Sequence, residues 1–458
     1  MKPIRHYARM TLECRTPLSI ASGRADAHYD VQLVRDANGL PVLPGTSLVG
    51  VLRHAFAQAQ GEDEADALFG YQKGDRGQPS ALRASWGHIH DSHDTPVEGL
   101  LDAGRENDPL LREYLRQIEH PMMRNRVRLN ERGAAADTGK FDRSIVPAGS
   151  RFSFELCLHG EHPENEHWNT LLALLARPDF RLGGNTRAGL GRLDIVRLHI
   201  DRYDLRQPAD AARLRARPHR LDTPIQGGES RENLPSIPDT SSNHWQCVTL
   251  ELRPSGYWRI GQGNQPTARD NDKTADLLPV TERRVIWTHG QGRLNPQAEL
   301  LVPASALKGA LRHRMAFHAA CLARYHGHAM SSEDAIAKLF GQIKDSTNEG
   351  GAGNGRAGQL LLDDQYLPIH PNKHQMIMHN VIDRFTGGVR EHLLFAEEML
   401  WDTALKLTLH LPADLPDTVR EAFKRSLDDL CEGRLALGGG GSRGHGFFTG
   451  THSFEARA

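Results

Sequence analysis

Two glycine-rich segments, LGGNTRAGLGRL at 182–193 and LGGGGSRGHGFF at 437–448, are where this chain's backbone can come closest to a ligand. Glycine has no Cβ, so Gly183 and Gly184 beside Arg187, and Gly438 and Gly439 beside Arg443, would let backbone and guanidinium approach a sugar-phosphate chain together. Neither segment ends in Gly-Lys-Ser/Thr, and neither is a Gly-x-Gly-x-x-Gly after a first strand, so neither reads as a nucleotide-hydrolase or dinucleotide loop. A plain glycine turn before an edge strand remains the alternative. A Pro-Gly-Thr-Ser turn at 44–47 sits where a strand hands over to a helix. Ser47 is placed to cap that helix, and the exposed amides of such an end attract phosphate. The counterpart at 303–306 carries Ser305, with Lys308 on the first turn, and Arg53 and Arg312 follow one to two turns later. Arg124, Arg126 and Arg128 alternate, so on a strand they share one face that could track phosphates or simply meet water.

These residues recur because the chain repeats. PVLPGTSLVGVLR at 41–53 is matched by LLVPASALKGALR at 300–312: Pro44 with Pro303, Gly50 with Gly309 and Arg53 with Arg312, each pair 259 residues apart. Each helix region leads on to Leu-Phe-Gly, at 68–70 and 339–341. RNRVRLN…TGKFDRSIVPAGSRFSFE within 124–155 answers HNVIDRFTGG…LLFAEEMLWDTALKL within 379–407, each running through an aromatic, Phe141 or Phe395, into an alternating strand. The glycine segments match at a spacing of 255. Three landmarks in one order make a duplicated domain. The boundaries expected are 1–205 for the first copy, 206–243 for a polar linker with a short helix over 209–216, and 244–458 for the second. Each copy reads as strand, helix, strand, strand, helix, strand, with helices over 47–60, 165–177, 305–325 and 417–430. That order is the ferredoxin-like plan shared by RNA-recognition modules.

A length of 458 residues suits two domains of roughly 200 residues. With a net charge of −1, attraction for nucleic acid has to come from locally segregated arginines. Five well-separated cysteines without a Cys-x-x-Cys pair point to a reducing, cytoplasmic setting, and no apolar run is long enough for a membrane span.

The run from Leu18 to Arg53, LSIASGRADAHYDVQLVRDANGLPVLPGTSLVGVLR, resembles the opening of the RAMP-superfamily backbone subunits of type III CRISPR effector complexes. In that family a short first strand and an Asp-bearing loop precede a Pro-Gly-Ser-Ser-Leu-Lys-Gly-like turn and a helix. The RVRLN…TGKF and NVIDRFTGG segments and both glycine loops fit the same family, so the resemblance spans both halves and omits mainly linker and insertions. It implies an α+β protein of two tandem ferredoxin-like (RRM-like) RAMP domains with thumb-type hairpin insertions. The implied partners are CRISPR guide RNA, target RNA and the other type III effector subunits, namely the large subunit and further backbone and small subunits.

The family's loop aspartate falls on Asp30 in the first copy and Asp276 in the second, with Asp270 and Asp272 as nearby substitutes; the stretch from aspartate to proline is longer in the second copy. The resemblance implies that these aspartates cut target RNA. Each would hold a hydrated Mg²⁺, or act as general base, beside a splayed nucleotide whose own 2′-hydroxyl attacks, giving a cyclic 2′,3′-phosphate and a 5′-hydroxyl. Thumb candidates are 121–145 and 374–396, with Met376, Met378 and Phe385 as possible wedges between bases. Two alternatives stay open: a non-catalytic guide-binding subunit, and guide-precursor cleavage by an imidazole, for which His54 and His313 occupy matched positions.

Overall fold

The computed structural model of the chain describes residues 2–23, 31–130, 134–232, 245–261, 263, 275–326, 332–342 and 355–455. The chain forms two compact units, Met1–Thr186 with Leu190–Thr240 and Arg284–Pro296, and Arg187–Gly189 with Ser241–Arg283 and Gln297–Ala458.

In the first unit the opening strand β1 (Ile4–Cys14) alternates with period two. Ile4, Ala8, Met10 and Leu12 are fully buried, while Arg5, Tyr7 and Arg9 take the opposite face. After β2 (Val42–Leu43), helix α1 (Gly45–Gln60) returns Leu48, Leu52 and Phe56 to the same core, four residues apart on one stripe. Helix α2 (Glu62–Phe69), short strands β3 (Leu82–Ala84) and β4 (Gly87–Ile89) and helix α3 (Pro109–Arg116) follow. A hairpin of β5 (Arg126–Leu129) and β6 (Ala135–Phe141) precedes β7 (Arg151–Gly160), α4 (Glu166–Leu175) and β8 (Leu193–Asp204).

The stretch expected as linker folds in part. Helix α5 (Pro208–Ala216) is followed by β9 (Glu229–Glu232), which pairs with Arg197–Ile200 of β8 and covers that sheet edge. The sheet runs β9-β8-β1-β7-β4-β2, with β3 also on β7.

The second unit repeats the order. Strand β10 (Trp245–Pro254) comes first. Hairpin β11 (Val285–Thr288) and β12 (Gln291–Leu294) belongs to the first unit's body, where Val285 N donates to Ala148 O at 2.8 Å and Trp287 Nε1 to Gly149 O at 2.7 Å. This hairpin accounts for the extra length noted after Asp276. Next come α6 (Ala304–His326), α7 (Ser332–Phe340), β13 (Leu361–Leu362), a hairpin of β14 (His374–His379) and β15 (Phe395–Leu400), β16 (Leu405–Pro412), α8 (Asp417–Cys431) and β17 (Phe448–Phe454). Its sheet runs β13-β16-β10-β17. In the first unit β8 lies beside β1, β1 beside β7 and β7 beside β4, as in the second β17 lies beside β10, β10 beside β16 and β16 beside β13, all antiparallel. Both units are α+β domains. Among the described residues no helix is long and apolar enough to cross a membrane.

Candidate nucleic-acid interface

The glycine loops are tied down by the same backbone bonds in each unit. Gly184 N donates to Ser19 O at 2.7 Å, and Gly439 N to Arg259 O at 2.9 Å. Gly191 N reaches Pro17 O at 2.9 Å, as Gly446 N reaches Tyr257 O at 2.8 Å. Each loop therefore locks onto the segment that leaves its unit's first strand. The glycines are demanded by that closeness: a Cβ on Gly183 would stand 2.3 Å from Ser19 O, and one on Gly438 2.0 Å from Arg259 O. The amides of Gly184 and Gly439 are thus occupied by the protein, and what the loops offer a ligand is side chains and exposed neighbours. Gly183, Gly438 and Arg443 are exposed.

Around the second loop the chemistry is cationic but paired. Glu397, fully buried, receives Arg259 Nε at 2.9 Å and Arg443 Nη2 at 2.6 Å. Burial alone would raise its carboxyl, yet the two guanidiniums hold it below the usual carboxylate range. The Arg443 guanidinium also lies 5.7 Å from the centre of the Phe395 ring, on which His379 stacks at 4.9 Å. In the first unit Arg143 takes the neighbouring place, its Nη1 only 2.3 Å from where a Gly184 Cβ would be. Arg143, Arg259 and Glu397 were missed in the sequence. A signal did exist for the last, since two acidic residues inside the apolar run FAEEML require partners.

The described residues flanking the implied aspartates are also bonded alike. Val34 N donates to Ile20 O at 2.9 Å and Val280 N to Ile260 O at 3.2 Å; Ser144 N donates to Val31 O at 3.2 Å and Glu398 N to Leu277 O at 2.9 Å. Val31 and Leu277 are the residues that follow Asp30 and Asp276 in sequence. Asp30 itself, with Asp270 and Asp272, lies outside the described residues. Asp276 is exposed, and its Oδ2 accepts from Ala396 N at 2.7 Å. Its other oxygen is what a metal would find; a hydrated Mg²⁺ can be held by one carboxylate with its waters retained. Among the described residues no group of three or more His, Cys, Asp or Glu is placed to hold a metal ion.

Several expectations about the helix starts change. Helix α1 begins at Gly45 with Pro44 as its N-cap and no side-chain cap, so Ser47 is a first-turn residue whose own amide donates to Pro44 O at 2.9 Å. Gly45 presses on the carbonyls of Ala84 and Ser85, where a Cβ would come within 2.8 Å, which sets acceptors against that end of the helix. At α6, where Ser305 is half-buried, the Ala304 amide is held by Asp364 Oδ1 at 2.8 Å, a carboxylate in the place proposed for phosphate. Lys308 Nζ donates to Arg187 O at 2.8 Å.

Arg53 pairs with Asp66 at 2.5 Å and Glu62 at 3.2 Å, joining α1 to α2, whereas Arg312 is exposed. The three alternating arginines do not share one open face. Arg124, ahead of β5, is buried, Arg126 is half-buried and Arg128 is exposed. His54 is exposed beside Gln58 at 3.1 Å, and His313 is half-buried.

Both hairpins carry apolar side chains into solvent. Val127, Leu129 and Phe141 are about half exposed on β5–β6. On the longer β14–β15 hairpin Met378 is 54% exposed and Phe385 fully so, while Met376 packs against Ala275, Leu278 and Ala396. Ser144, which binds Val31, follows the end of β6 by three residues, and Glu398, which binds Leu277, lies within β15 itself.

Residues 11–194 and 287–449 match the family model described as the RAMP superfamily, which is well over half of the chain. A comparison with curated proteins finds no match.

Proposed function

The chain belongs to the RAMP superfamily through both of its halves, and on that premise we propose that it is a CRISPR-associated RNA-binding subunit that grips a guide RNA with both units. The observation that carries this reading is the repeated scaffold: in each unit the same bonds fix a glycine loop and the residues that follow the family's aspartate, and each unit bears a hairpin with exposed apolar side chains. Exposed Arg128, Arg312 and Arg443 supply charge for phosphates, and Phe141, Met378 and Phe385 supply surfaces against which bases stack or unstack. The uncovered apolar area on the hairpins is otherwise unfavourable in water.

The finer part of the proposal is a place in a type III effector complex, paired with target RNA, and cleavage of that target at Asp30 and Asp276. Its support is the exposure of Asp276 and the identical bonding of the residues after the two aspartates. A Mg²⁺ bound there would offset negative charge developing on the scissile phosphate. Asp276 would position it through the oxygen not taken by the Ala396 amide. The test is to assemble the complex on a guide and map target cuts with and without Mg²⁺ for the parent, Asp30→Asn, Asp276→Asn and the double variant. We expect each single variant to lose one cut position and keep guide affinity. A double variant that still cuts everywhere removes the aspartates from the chemistry. A folded chain that ignores guide RNA removes the RNA-binding reading itself.

A further inference from the structure

On the first sheet, the face opposite the core bears the polar side chains of Arg9, Thr11 and Ser153. Residues 218–225 lie over it, the carbonyls of Pro218, Leu221 and Thr223 accepting from Arg9. Beneath them lies a cavity of about 440 Å³ lined by Arg9, Thr11, His90, Asp94, Ser153 and Arg197, with Leu198, Leu221 and Ile225 as apolar walls. Its floor holds a continuous hydrogen-bonded series. His90 Nδ1 is 2.8 Å from Asp94 Oδ1, His90 Nε2 is 2.8 Å from Ser153 Oγ, and Ser153 Oγ is 2.7 Å from Thr11 Oγ1. The direction of each bond follows from chemistry. An ionised carboxylate only accepts, so Nδ1 carries the imidazole proton. Nε2 must then accept, Ser153 must donate to it, and Thr11 must donate to Ser153. Asp94 is kept ionised against its burial by His90 and by Arg197 and Arg151, which reach its Oδ2 at 2.9 and 2.7 Å. Burial keeps His90 neutral and able to take a proton.

The series is not repeated in the second unit. At the matching register of the second sheet Glu251 faces Lys406, an exposed ion pair at 3.0 Å. In the first sheet Thr11 faces Ser153. Asp94 also sits at φ +59°, a left-handed conformation held by a tight turn in which its amide donates to Asp91 O.

From this arrangement we propose that Ser153, activated by His90 and Asp94, is the nucleophile of a second site in the first unit, one that takes esters of small carboxylic acids. Nucleophile, base and orienting carboxylate are recognised by geometry and role whatever their order in the chain. The Ser153 oxygen bonds to the carbonyl carbon, its proton passes to His90 Nε2, and that proton leaves on the departing alcohol. Water then attacks the acyl-serine, gives its proton by the same route and releases the acid. Arg9 and Arg197 line the same space, Arg9 tied to Glu155 and to the carbonyls of Pro218, Leu221 and Thr223 and Arg197 to Asp94. They give the site a positive field for the developing oxyanion rather than a dedicated donor. A volume of this size accommodates a small ester.

The experiment treats the full chain, without RNA, with a fluorophosphonate, which bonds phosphorus to an activated serine oxygen and expels fluoride. Peptide mass mapping should find one adduct, on Ser153, absent from Ser153→Ala. Asp94→Asn should slow labelling by about 10⁴-fold. A parent chain that unfolds cooperatively yet takes no adduct at Ser153 overturns the proposal, with no variant required. An Asp94→Asn chain labelled as fast as the parent overturns it too. Neither result depends on RNA binding.

Discussion

At the scale of single residues, glycines separate into those the backbone demands and those it tolerates. Gly438 has φ +86° and would press a Cβ to within 2.0 Å of the Arg259 carbonyl oxygen, while Gly50 lies exposed in α1 with open space around it. A left-handed conformation forced on alanine costs about 1–3 kcal/mol, to which the clash adds. An exposed helical glycine replaced by alanine instead stabilises by about 1 kcal/mol. Gly438→Ala should therefore lower the denaturation midpoint and Gly50→Ala should raise it, both read from urea unfolding. An unchanged midpoint in Gly438→Ala would mean that the bond from the loop to the Arg259 carbonyl does not hold the second unit together. The same reasoning reassigns these glycines: they are required by the protein's own strand exit, and a ligand meets their exposed neighbours.

At the scale of elements, α6 and α8 are joined by a carboxylate. Asp429 is 3% exposed, receives Arg434 Nε at 2.6 Å, lies 2.6 Å from His318 Nε2 and also pairs with Arg314. Burial alone would raise its carboxyl, but Arg434, Arg314 and His318 hold it at about 2, below the ordinary 3.8. A depressed folded-state value means stability that is present above the unfolded value and is lost as pH falls through the folded one. The window thus runs from about pH 4 down to about pH 2, and its size is about 2 kcal/mol. Asp429→Asn should be destabilised by about that amount near pH 7, and the gap to the parent should close near pH 2 in denaturant titrations; a gap constant with pH would discount the ionised carboxylate.

These elements were largely legible beforehand. The helices at 47–60 and 417–430 fall within a few residues of their expected limits. Their clasp was not. Arg314 and Asp429 are 115 residues apart, and nothing local announces such a pair. Nor could alternation alone tell that Arg124 turns inward ahead of β5, or that β9 would pair where a polar linker was read, because both depend on which edge the folded sheet leaves open.

At the scale of the whole molecule, a net charge of −1 offers no general attraction for RNA, so affinity has to reside in a few exposed cations on each unit. Arg128 in the first unit and Arg312 in the second are exposed. Each phosphate neutralised on a single strand contributes about 0.7 to the slope of log affinity against log salt. Four such contacts would weaken guide binding roughly fiftyfold between about 50 and about 200 mM salt. Arg128→Gln and Arg312→Gln should each flatten the slope by about 0.7, and the double variant by about twice that, in filter-binding titrations on an unpaired guide. Equal losses from the two variants mean that the duplication doubled a binding surface. A slope that answers to only one of them would assign RNA to that unit and leave the other free to diverge, as the sheet face bearing Ser153 in one unit and the Glu251–Lys406 pair in the other already has.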